Sequence, residues 1–144
     1  MAKKKLEAFA DYNFILFGIS STFKEYKLAW NINQAMNIQL IKMPDIELPF
    51  VDGNVLVISN YKYNTQHSTT RLIKNKTDMA KKTGSIYLIP ELQNFDYLIL
   101  LEGFDNEPDF SLPKYKQSLQ RLNGISFVQN FEVEKLKSRD NLIF

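Results

Sequence analysis

The 144-residue chain is 44% hydrophobic and 24% charged, enough apolar material for one core and too much for a disordered tail or a low-complexity linker. Eighteen Lys and Arg against 16 Asp and Glu leave a formal charge of +2, so no strong field commits the protein to nucleic acid or to a membrane surface. With no Cys there is no disulfide, thiolate nucleophile or thiolate zinc, and a single histidine, His67, excludes a metal site of two imidazoles from one chain.

Residues 1–10, opening Met1-Ala2-Lys3-Lys4-Lys5, read as a flexible basic N-terminus. Glu7 and Asp11 interrupt any signal peptide, and no run approaches the roughly 20 apolar residues of a membrane span, so a soluble cytoplasmic protein with no membrane partner is expected. Asn13 to Ile19 is the first strand, apolar and rich in β-formers. Thr22-Phe23-Lys24-Glu25 fits a capping box for a helix from Lys24 to Met36, with Asn37 as its left-handed stop. Leu28, Ile32, Ala35 and Met36 form its core face, and Tyr26 and Trp30, one turn apart, are expected as a second buried edge.

Ile46 to Leu48 and Val55 to Ile58 flank Asp52-Gly53, a strong hairpin signal, and Pro49 marks the first arm as an edge strand or a bulge. The second arm continues through Tyr61 and Tyr63. His67 follows in a polar loop, a solvated setting that weighs against a catalytic base. Thr70 to Ile73 is another strand. From Arg71 to Gly84, Arg71, Lys74, Lys76, Lys81 and Lys82 stand against Asp78 alone, a net +4 read as a solvated connection, with a mobile loop serving an acidic partner as the alternative. Asn75-Lys76-Thr77 matches the glycosylation pattern, an empty match without a secretory signal.

Ile86 to Ile89 and Phe95 to Leu101 read as strands, and the short link between them predicts that they pair antiparallel with each other. The second is apolar on both faces, as a central strand must be. Glu102, Asp105, Glu107 and Asp109 then give a −4 stretch, which lacks the glycine of a calcium loop. A second helix starts at Ser111 and Pro113, turns Tyr115, Leu119 and Leu122 inward, and ends at Asn123-Gly124. Ile125 to Val128 is the last strand, and 137–144 reads as a charged tail. The expectation is a single α+β domain over 1–144: a mostly antiparallel sheet with two main helices packed on it.

Ile89-Pro90-Glu91-Leu92-Gln93-Asn94-Phe95-Asp96-Tyr97 resembles the motif that names the IPExxxVDY family of small uncharacterised proteins, found chiefly in Bacteroidetes, with Phe95 in place of the Val. The strand ending Gly18-Ile19-Ser20-Ser21 and the helix with Tyr26-Lys27-Leu28-Ala29-Trp30 are similar to that family too. The resemblance implies a bacterial cytoplasmic protein and transfers no catalytic residue. Read from its residues, the segment is a strand, a turn opened by Pro90, and a return into the central strand. Structurally, Glu91, Asp96 and Tyr97 would fix this corner. Functionally, they would converge as a carboxylate pair with a phenol donor, the one weak catalytic candidate, Glu91, Asp96 and Tyr97. The leading expectation is a non-enzymatic adaptor or regulatory module that binds another protein or a second copy of itself. The alternatives are a small-molecule-binding protein or acid–base enzyme using that corner and, third, a nucleic-acid binder; no metal and no cofactor are expected.

Overall fold

The computed structural model describes residues 13–49, 55–78 and 85–143. Among the described residues eight strands and two α-helices follow in chain order: β1 (Phe14–Ser21), α1 (Glu25–Met36), β2 (Ile41–Pro49), β3 (Val55–Asn64), β4 (Thr69–Lys74), β5 (Lys76–Asp78), β6 (Ser85–Tyr87), β7 (Tyr97–Glu102), α2 (Leu112–Gln120) and β8 (Ile125–Phe131). Six of the strands form one antiparallel sheet in the order β2-β3-β4-β7-β1-β8, and β5 pairs with β6 in a small second sheet. The class is α+β.

Alternation along the central strands sends side chains to both faces. Phe17, Ile19, Leu72, Tyr97, Ile99 and Leu101 pack against Leu28, Ile32 and Leu119 of the two helices. Leu16, Ile58, Ile73, Leu98 and Leu100 face the other way, onto Leu88, Ile89, Leu92, Phe95, Val133, Leu136 and Leu142. β7 therefore lies between two cores, as its doubly apolar pattern requires. Gly18 on β1 is a close-approach glycine: a Cβ there would stand 2.7 Å from Phe95 and 2.8 Å from Phe131, two rings in edge contact against it.

The β2–β3 hairpin pairs Ile46 with Ile58 and Leu48 with Leu56; its Asp52-Gly53 turn lies outside the described residues. β2 is an edge strand with a register break between Met43 and Ile46, in keeping with its prolines. Asn37 (φ 54°, ψ 51°) ends α1, and the Ser111 hydroxyl accepts from the Lys114 N–H at the start of α2.

Several expectations fail, each for a local physical reason. Thr22 does not cap α1, whose N-cap is Lys24 with no side-chain bond; the Ser21 hydroxyl instead accepts from Phe23 N–H. Tyr26 and Trp30 are 64% and 61% exposed. At 3.6 residues per turn they sit about 160–200° around the helix from Leu28, which faces the sheet. Strand β6 pairs with β5, not with β7, because both flanks of β7 are already taken by β4 and β1. The C-terminal segment is not a free charged tail: short helical turns at Val133–Lys135 and Arg139–Leu142 bury Val133, Leu136 and Leu142 in the core. Residues 1–10 lie outside the described residues.

Candidate functional site

Asn75 holds the corner from Ile89 to Tyr97 together. It follows β4, and its side chain accepts from Ile89 N–H at 2.9 Å while donating to Leu92 O at 3.0 Å and Phe95 O at 2.9 Å. Its own N–H donates to Asp96 O and its carbonyl accepts from Leu88 N–H, so one buried amide serves the backbone on both sides of the Pro90–Leu92 turn. The sequence carried no signal for this role, because the side chain's partners lie 14 to 20 residues away along the chain.

Each candidate catalytic side chain has a separate backbone partner. Glu91 is exposed, and its Oε2 accepts from Ser138 N–H at 2.8 Å, tying the C-terminal turns to the corner. Partial burial pulls its carboxyl up, but the donors around Ser138 outweigh this and hold it below the usual carboxylate range. Asp96 Oδ2 accepts from Ser21 N–H at 2.9 Å, where the β1–β8 register breaks. Tyr97 Oη donates to Phe23 O at 2.6 Å, and burial, reinforced by Glu25 and Asp96, pushes its phenol up to about 12. The two carboxylates thus serve segments 47 and 75 residues away along the chain. They bond to different parts of the fold rather than to a shared centre.

The basic residues are likewise distributed. Arg71 and Lys74 belong to β4, which is hydrogen-bonded on both sides by β3 and β7 and is no mobile loop. Alternation puts Arg71 on the Ile73 face and Lys74 on the opposite, helix-bearing face. Lys76 is exposed on β5, and Lys81 and Lys82 lie outside the described residues. His67 is exposed in the tight turn between β3 and β4, where the Thr65 hydroxyl accepts from the His67 and Ser68 N–H groups.

Two features stand out instead. The first is a cavity of about 410 Å³ where the acidic stretch meets α2. Phe104, Phe110, Tyr115 and Tyr63 line it, with Thr65 and Ser68 in the β3–β4 turn, Thr70 on β4, and Glu107 and Asp109 in the acidic loop. Phe104 and Phe110 touch edge-on at 5.0 Å, and both meet Tyr115, at 6.4 and 5.8 Å. Tyr115 stacks on Phe17 of β1, which seats this ring group on the sheet. Among the described residues the Tyr115 hydroxyl alone is a buried side-chain polar atom without a hydrogen-bond partner, and burial pushes its ionisation well upward. In sequence, the alternation of acids with Phe104 and Phe110 was the available signal.

The second feature is the outer edge of β8. Asp96 N–H donates to Ile19 O, so that carbonyl faces β7, whereas Leu16 O and Ser20 O accept from the side chains of Asn130 and Ser126 and so face β8. Gly18 therefore exchanges its bonds with Gln129 opposite, and Val128 and Asn130 turn their N–H and C=O groups outward. The strand holds no charge and no proline from Ile125 to Phe131, unlike β2 with Lys42, Pro44 and Pro49. Phe127, 52% exposed, stacks on Phe95 at 5.8 Å and continues the ring pair of Phe95 and Phe131 to this edge.

Among the described residues no group of His, Cys, Asp and Glu is arranged to hold a metal ion, and no helix is long and apolar enough to cross a membrane. Comparisons with protein-family models, with curated proteins and with solved structures find no match.

Proposed function

We propose that the protein is a non-enzymatic interaction module that takes an extended segment of a partner protein onto the edge of β8. The edge of β8, free of charge and proline from Ile125 to Phe131, carries this reading. A sheet edge with outward N–H and C=O groups is a template for a further strand, and natural proteins usually blunt such edges with Lys, Pro or a bulge. The opposite edge, β2, combines Lys42, Pro44 and Pro49 with a register break, whereas β8 has neither Lys nor Pro and a single register break near its start, opposite Ser20 and Ser21. In this mode backbone bonds supply affinity, and Phe127 supplies the apolar contact beside them. The likeness of Ile89–Tyr97 to the motif of the IPExxxVDY family, which has no established activity, supports only the bacterial cytoplasmic part of this reading.

The test uses the full chain with Gln129→Lys and Phe127→Lys as edge-guarding variants and Ile41→Lys on β2 as control. Capture of partner from native cytoplasm, or self-association in sedimentation, is lost in both β8 variants and kept in the control. In the captured complex the Val128 amide exchanges more slowly than in the free chain. Capture that survives both variants, capture only of RNA or DNA that washes off with salt, or an unchanged Val128 exchange rate refutes the reading.

A further inference from the structure

The aromatic cavity beside α2 is independent of the β8 edge and has its own chemistry. Its walls are rings inclined to one another by 52–74°, which presents ring faces toward more than one direction at a concave corner. None of its lining residues is Lys, Arg or His, whereas Glu107 and Asp109 bring two carboxylates. Neither carboxylate has a side-chain hydrogen bond or ion pair with the described residues. The positive end of α2 offsets only about half a charge close by, so the acidic excess stands. A volume of about 410 Å³ falls within the roughly 300–1,000 Å³ typical of small-molecule sites.

We propose that this cavity binds a small organic ammonium cation, its apolar body against Phe104, Phe110 and Tyr115 and its charged head toward Glu107 and Asp109. Two observations select this class. Ring faces carry negative quadrupole density and attract a cation within about 6 Å of their centroids. An anion would meet two carboxylates and no cationic side chain, and a neutral ligand would leave both carboxylates unused. The buried Tyr115 hydroxyl lies among the lining residues without a partner, a polar group that a ligand atom can satisfy.

The experiment compares three near-isosteric probes on the full-length chain by amide chemical-shift titration: phenethylammonium, the neutral phenethyl alcohol, and the anion phenylacetate. Phenethylammonium saturates with shifts centred on Thr70, Phe104, Glu107 and Phe110, and binds roughly tenfold tighter than the alcohol, as a ring-face and carboxylate interaction predicts. Raising salt narrows the gap, because the carboxylate part is screened. Glu107→Gln with Asp109→Asn cuts the cation's advantage about threefold or more, and thermal melts of this double variant match the wild type because neither side chain has a partner among the described residues. Equal binding of cation and alcohol, tighter binding of phenylacetate, shifts centred elsewhere, or no saturation by any probe overturns the proposal. So does a double variant that keeps the full cation preference.

Discussion

Replacing Asn75 by Ala removes three side-chain hydrogen bonds of 2.9–3.0 Å inside the fold and leaves Ile89 N–H, Leu92 O and Phe95 O without their partner. A net hydrogen bond contributes about 0.5–1.5 kcal/mol, and a buried group left unsatisfied costs about 1–3 kcal/mol. Partial relaxation of the Pro90–Leu92 turn keeps the sum below its maximum, so Asn75→Ala destabilises the protein by about 3–5 kcal/mol. Against a typical total of about 5–15 kcal/mol this is a large fraction. In urea, with a slope near 2 kcal/mol/M, it lowers the midpoint by about 2 M. Asn75→Asp separates shape from hydrogen bonding. Its carboxylate still accepts from Ile89 N–H but faces two carbonyl oxygens, which raises its folded pKa. The stability it retains at low pH, where the acid is protonated, is lost as pH rises through that value. A loss below about 1 kcal/mol for the Ala variant, or no pH dependence in the Asp variant, refutes the role given to Asn75.

Tyr97→Phe loses the bond to Phe23 O and about 1 kcal/mol at neutral pH, read by urea unfolding. In the wild type the unfolded phenol ionises near 10 and the folded one near 12, so stability is full below pH 10 and falls as pH rises toward 12. The variant therefore shows a shallower alkaline decline, and an identical decline in both proteins refutes the assignment. Tyr115→Phe has the opposite sign at neutral pH. Removing an unpartnered buried hydroxyl stabilises by about 1 kcal/mol and raises Tm by about 2–4 °C, and a lower Tm would mean that the hydroxyl is hydrogen-bonded.

How much of this was legible in the sequence depends on the range over which each signal acts. The Asp52-Gly53 turn, the Asn37 stop, the Ser111 cap and the doubly apolar run through Leu98 and Leu100 all act within a few residues. They placed the hairpin, both helices and the central strand. The same local reading mistook Tyr26 and Trp30 for core, because side-chain type outweighed their angular position on α1. It paired β6 with β7 on connection length alone, although a strand can have only two neighbours. At the corner, Glu91, Asp96 and Tyr97 all make specific bonds, but each bonds to a different backbone segment, which local spacing does not show.

The sequence by itself determined the class, α+β, the positions of the main elements, and the chemistries closed by the missing cysteines and the solitary histidine. Those follow from composition, turn residues and periodicity, which need no knowledge of what lies across the fold. Only the tertiary structure decided which strands adjoin, that Asn75 is the buried amide behind the corner, that rings from three separate elements line one acidic cavity, and that β8 is left as an open edge. Each depends on contacts between residues tens of positions apart, and the geometry of such contacts is set by the packing of both cores together.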